Sequence, residues 1–66
     1  MNVLITAVPH GQGRVSISTL DARTRQPLEL AFIGSWVFAL TERNRRCERW
    51  AESADEVAGE PMPVMF

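Results

Sequence analysis

The stretch LELAFIGSWVFALTERNRRCERWAESADEV, about Leu28 to Val57, carries apolar side chains at alternating steps of three and four residues. Leu30, Ile33, Val37, Leu40, Asn44, Cys47, Ala51, Ala54 and Ala58 form one row. Trp36, Leu40, Arg43, Cys47, Trp50, Ala54 and Val57 form a second, and Leu40, Cys47 and Ala54 belong to both. A helix that buries one face needs this spacing, because residues three and four apart share a side. Three starting points fit the residues. The spacing favours Gly34-Ser35 as the end of a strand, with Ser35 capping a helix from Trp36. Alternatively Gly34-Ser35 is a two-residue hairpin turn, Trp36–Leu40 is a further strand and Thr41 is the cap. A helix starting at Pro27 would place Gly34 in its interior, which costs about 1 kcal/mol. All three make residues 42–51 helical.

Toward the N-terminus the pattern changes from helical to alternating. Asn2–Val8 is rich in Val, Ile and Thr and reads as a strand closed by Pro9, with residues 9–13 as a loop. Arg14–Leu20 sets Val15, Ile17 and Thr19 against Arg14, Ser16 and Ser18, the signature of a half-buried strand. Asp21–Gln26 is polar and suits a hairpin turn. In Pro27–Ile33, Leu28, Leu30 and Phe32 alternate with Glu29 and Ala31, which predicts a third strand.

Toward the C-terminus, the Glu48–Glu52 and Glu52–Glu56 pairs repel at helical spacing, and Ser53-Ala-Asp-Glu56 matches a capping box. The helix therefore either breaks near Ser53 and restarts as far as Gly59, or runs on with a solvated acidic end. Pro61 and Pro63 keep the tail extended, with Met62, Val64 and Phe66 on one side. The expected fold is α+β: a three-stranded antiparallel sheet, four-stranded if Trp36–Leu40 is extended, packed on one C-terminal helix. Residues 1–59 form the domain and residues 60–66 the tail.

A chain of 66 residues buries only about 60% of the surface its unfolded form exposes. Cys47 is the one cysteine and His10 the one histidine, so an intrachain disulfide is excluded and a zinc site is short of ligands. Self-association, a larger protein partner or unusually good packing is left as the source of stability, and association, as a homodimer or with a larger protein, is favoured. Net charge is −1, but residues 1–51 hold all seven arginines against Asp21, Glu29, Glu42 and Glu48, a balance of +3. The longest apolar run, Leu30–Leu40, has 11 residues and is too short to span a bilayer. Residues 2–8 are too few for a signal-peptide core. The expectation is a cytoplasmic chain with no membrane partner, in keeping with one unpaired cysteine.

Little in the chain suggests catalysis. A thiol nucleophile with an imidazole base would require Cys47, mid-helix and core-facing, to meet His10, in a glycine loop. Asp55 and Glu56 diverge on a helix, and Gly11-Gln-Gly13 is too short for a phosphate loop. No catalytic, cofactor-binding or metal-binding residue is assigned. The favoured function is non-enzymatic protein binding by a small regulator or inhibitor of a larger complex, of the kind carried by phages and mobile elements. Its interface would draw on Trp36, Leu40, Cys47, Trp50, Ala54, Val57, Met62, Val64 and Phe66. The alternative is nucleic-acid binding, with Arg14, Arg23 and Arg25 on the sheet and its hairpin and Arg43, Arg45, Arg46 and Arg49 on the helix contacting phosphates.

Overall fold

In a computed structural model, which describes residues 1–64, the chain forms β1 (Asn2–Gly11), β2 (Arg14–Asp21), β3 (Phe32–Ser35), α1 (Trp36–Ala51) and β4 (Glu56–Gly59). The strands make one sheet in the order β3-β2-β1-β4. β1 pairs antiparallel with β2 and β2 with β3, whereas β4 lies parallel to β1. β3 and β4 therefore run in the same direction at opposite edges, and α1 is the crossover that such a return requires. The 16-residue helix is about 24 Å long, enough to cross all four strands, which span roughly 14 Å from edge to edge.

The α+β class, with three antiparallel strands under one helix from Trp36, is what the structure shows. Ser35 occupies the cap position in extended backbone, but its side chain makes no capping hydrogen bond. The fourth strand is not Trp36–Leu40. It is Glu56–Gly59, which replaces the expected helical restart after Ser53. Val57 turns toward the core beside Val3, and the Gly59 backbone approaches α1 so closely that a Cβ there would lie 3.1 Å from Cys47 Sγ.

β1 also runs further than expected, through Pro9 to Gly11. Pro9 pairs with Val15, and its missing N–H points to the side where β4 has already ended, so no ladder bond is lost. Gln12 and Gly13 make the turn with φ of 56° and 71°. Positive φ at both central residues is the two-residue hairpin geometry whose twist matches the flanking strands.

Residues 28–31 do not continue β3. Leu20 and Pro27 form an isolated bridge, and the strand begins only at Phe32. The expected alternation breaks here: Leu28 packs on the core, Glu29 turns to the helix, and Leu30 is left outside.

Val3, Ile5, Val15, Ile17 and Ala39 form the buried core, with Thr19 and Arg46 buried among them. Trp36, Cys47, Trp50, Ala54, Val57 and Met62 pack around it. Of the two apolar rows, the second contributes Trp36, Cys47 and Trp50 to the helix's sheet-facing side, but the two buried residues of α1, Ala39 and Arg46, belong to neither row, and Val37 in the first faces outward. Among the described residues no helix is long and apolar enough to cross a membrane.

Candidate interaction surface

The inward face of α1 is closed by an arginine. Arg46 is 4% exposed. Its Nε donates to Glu42 Oε2 at 2.7 Å, Nη1 to Thr19 Oγ1 at 3.1 Å and to the Ile17 carbonyl at 3.3 Å, and Nη2 to the Leu30 carbonyl at 2.8 Å. This side chain joins the helix, β2 and the segment leading into β3. Glu29 completes the cluster, accepting from Arg49 and, at 2.7 Å, from Trp50 Nε1. Burial raises the Glu29 pKa, but hydrogen bonds from Trp50, Thr19 and Arg49, with the Arg46 charge, outweigh it and hold the carboxyl below its ordinary value. With its donors so distributed, the cluster is internal bracing.

The tail docks on its own domain. Trp36 Nε1 donates to the Pro63 carbonyl at 3.0 Å, and Arg43 Nη1 donates to the Glu60 carbonyl at 3.1 Å. Met62 packs on the core. Thus six residues expected at an interface, Trp36, Cys47, Trp50, Ala54, Val57 and Met62, spend much of their surface on this chain's own core. Leu40 is half-buried and Val64 is exposed, while Phe66 lies outside the described residues.

Besides Met1, Val8 and Val64, the exposed large apolar side chains lie just before β3, on β3 and on the first turns of α1. Leu30 is 91% exposed, Phe38 69%, Val37 64% and Ile33 57%. Between α1 and β3 runs an apolar groove of about 260 Å³, bordered by Phe32, Gly34, Phe38, Thr41, Glu42 and Arg45. Gly34 shapes its floor: a Cβ there would stand 2.7 Å from Phe32 Cζ, so the phenyl ring lies over bare backbone. Leu30, Ile33 and Val37 stand in the first row, but that spacing put them on one packed helix face, whereas Leu30 and Ile33 lie before the helix and all three are exposed. Phe38 belongs to neither row, and no pattern in the residues marks it.

The arginines do not gather into one cluster. Arg46 is buried, Arg49 pairs with Glu29, and Arg43 is bound to Glu60 and Asn44. Arg45 borders the groove 3.5 Å from Glu42. Arg23 and Arg25 project from the turn after β2, where Asp21 Oδ1 accepts from the Arg23 and Thr24 amides and Arg25 adopts a φ of 62°. Arg14 is exposed at the start of β2, at the other end of that strand.

One contact the sequence did not suggest is His10 Nε2 to Ser16 Oγ, 2.8 Å apart. The irregularity between Pro9 and Gly11 brings the two together. The spacing suits a nucleophile and its base, but both side chains are at the surface. Among the described residues no hydrogen bond orients the other ring nitrogen as a catalytic triad requires. Among the described residues, too, no three His, Cys, Asp or Glu side chains converge as a metal would need.

No family model, characterised protein or solved structure matches this chain, so the surface is interpreted from its own geometry.

Proposed function

We propose that the protein acts by binding another protein, without catalysis, in the manner of a small regulator or inhibitor. The observation that supports this reading is the exposed apolar pair Val37 and Phe38 on the first turns of α1, where Phe38 borders the groove, with Ile33 exposed on the other face of the neighbouring edge strand and Leu30 exposed just before it. Contiguous exposed apolar surface on a monomer is often functional. The fold can seal apolar side chains, as the buried Ile5, Val15 and Ile17 demonstrate. Leaving large ones in water along this edge costs solubility unless something covers them.

The test is capture on the immobilised chain from a lysate of its cell of origin, in parallel with a Val37→Glu/Phe38→Glu variant. Proteins retained by the parent and lost by the variant support the reading. Identical capture by the two removes this flank from the function.

A further inference from the structure

We infer that the flank is covered by a second copy of this chain, paired antiparallel along β3, an inference that rests on reading the flank as a binding surface. Ladder alternation settles which backbone groups are free. The Trp36 amide donates to the Gly13 carbonyl at 3.0 Å. In the observed register Gly34 and Phe32 therefore exchange hydrogen bonds with Val15 and Ile17, and Ile33 and Ser35 turn their N–H groups to the open edge. The Ser35 carbonyl, at the cap position, is directed into the first turn of α1.

A two-fold axis normal to the sheet then has one best register. Ile33 lies opposite Ile33 of the other copy, and each Ser35 N–H donates to the other copy's Ala31 carbonyl, for about four backbone bonds. In this register Phe32 of one copy has the bare Gly34 of the other across from it. The exposed Ile33 side chains become direct neighbours, and the Val37 and Phe38 side chains flank the seam.

Two observations favour a second copy. The first is the contrast between the sheet's edges. The β4 edge carries Glu56 and is followed by Glu60 and Pro61, devices that discourage strand addition, whereas Phe32–Ser35 holds neither charge nor proline. The second is that apolar side chains stand exposed on both faces of this edge, Ile33 on the open face opposite Ser16 and Val37 and Phe38 on the helix face. Pairing about the two-fold covers apolar surface on each side of the seam, toward the roughly 800 Å² per copy that a stable pair needs. Two-fold pairing also uses the same patch on both molecules, as an isologous interface must. The product is a continuous eight-stranded sheet with both helices on one face. Its open face carries Leu4, Thr6, Val8, Ser16, Ser18, Leu20 and Ile33 of both copies, with Arg14 and Glu56 at the strand ends.

Sedimentation equilibrium from about 1 to 100 µM should show a mass rising from 7.4 kDa to twice that value. Ile33→Lys places like charges across the seam and should weaken association at least about 30-fold, with far-UV circular dichroism unchanged. Should that variant misfold, Ile33→Cys in a Cys47→Ser background decides: mild oxidation should yield a covalent dimer, and Glu52→Cys in the same background should not. A mass of 7.4 kDa throughout, or a dimer indifferent to Ile33→Lys, overturns the inference. If the chain is monomeric yet Val37→Glu/Phe38→Glu abolishes capture from the lysate, the second copy is wrong and the binding flank stands. If no substitution on the flank changes mass or capture, both fail.

Discussion

Arg46 on the helix donates to Thr19 on β2 at 3.1 Å, and both side chains are buried. Among the described residues Arg46 is the one buried charged side chain, and it stands where a helix over a sheet would ordinarily bury an aliphatic residue. Four protein acceptors, three of them from outside α1, receive the guanidinium, so its desolvation is offset by hydrogen bonds.

Arg46→Ala should destabilise the domain by about 3–5 kcal/mol, because it strands the buried Thr19 and backbone acceptors and leaves Glu42 only the exposed Arg45. For a chain of this length, whose whole stability is roughly 3–10 kcal/mol, that loss approaches complete unfolding. Arg46→Met, which removes the charge and keeps the packing stem, should cost less. Urea unfolding followed by tryptophan fluorescence checks the order, and equal losses would contradict the bracing role.

Glu29 makes stability depend on acid. Its carboxyl is held below its ordinary value in the folded chain, so the folded state takes up that proton less readily than the unfolded state. The resulting contribution is complete above the unfolded value and is lost as pH falls through the lower folded value. Asp55, hydrogen-bonded to the Met1 ammonium at 2.5 Å, is shifted in the same direction. Glu29→Gln should be less stable at pH 7 and should lose less stability between about pH 5 and pH 3. Midpoints of denaturation across that range measure the slope, which should be shallower than in the parent.

The β1–β2 turn offers a gain. Gln12 sits at a φ of 56°, which Asn tolerates better. Gln12→Asn should raise the melting temperature. Gly13→Ala, at a φ of 71°, should cost about 1–2 kcal/mol. Thermal melts of the two variants should move in opposite directions.

Removing the tail after Gly59 takes away the Pro63 carbonyl that accepts from Trp36 and the Met62 side chain on the core. A loss of about 1.5–3 kcal/mol is expected for the apolar side chain, with a red shift in fluorescence as Trp36 meets water. Unchanged melting would show that the tail's docking adds nothing.

Binding to random-sequence duplex DNA, titrated with salt, tests the nucleic-acid alternative. With Arg43, Arg46 and Arg49 held by internal partners, few phosphates can be neutralised, so weak binding with a shallow slope is expected. A steep dependence on log salt would reverse that expectation.

Local chemistry determined much of this protein by itself. The alternation in Arg14–Leu20, the polar Asp21–Gln26 turn, the Ser35 boundary and the helical spacing from Trp36 to Trp50 are all written in neighbouring residues, because helix and strand periods are local properties. The tertiary structure decided the rest. β4 exists because Val57 finds Val3 more than fifty residues away, and four residues have no period of their own to announce it. Glu29 turns inward and Leu30 outward because Arg46, far along the chain, claims the Leu30 carbonyl. The exposed flank has the same origin. A run of apolar side chains states that something must be covered, and only the packed chain shows which of them its own sheet has already covered.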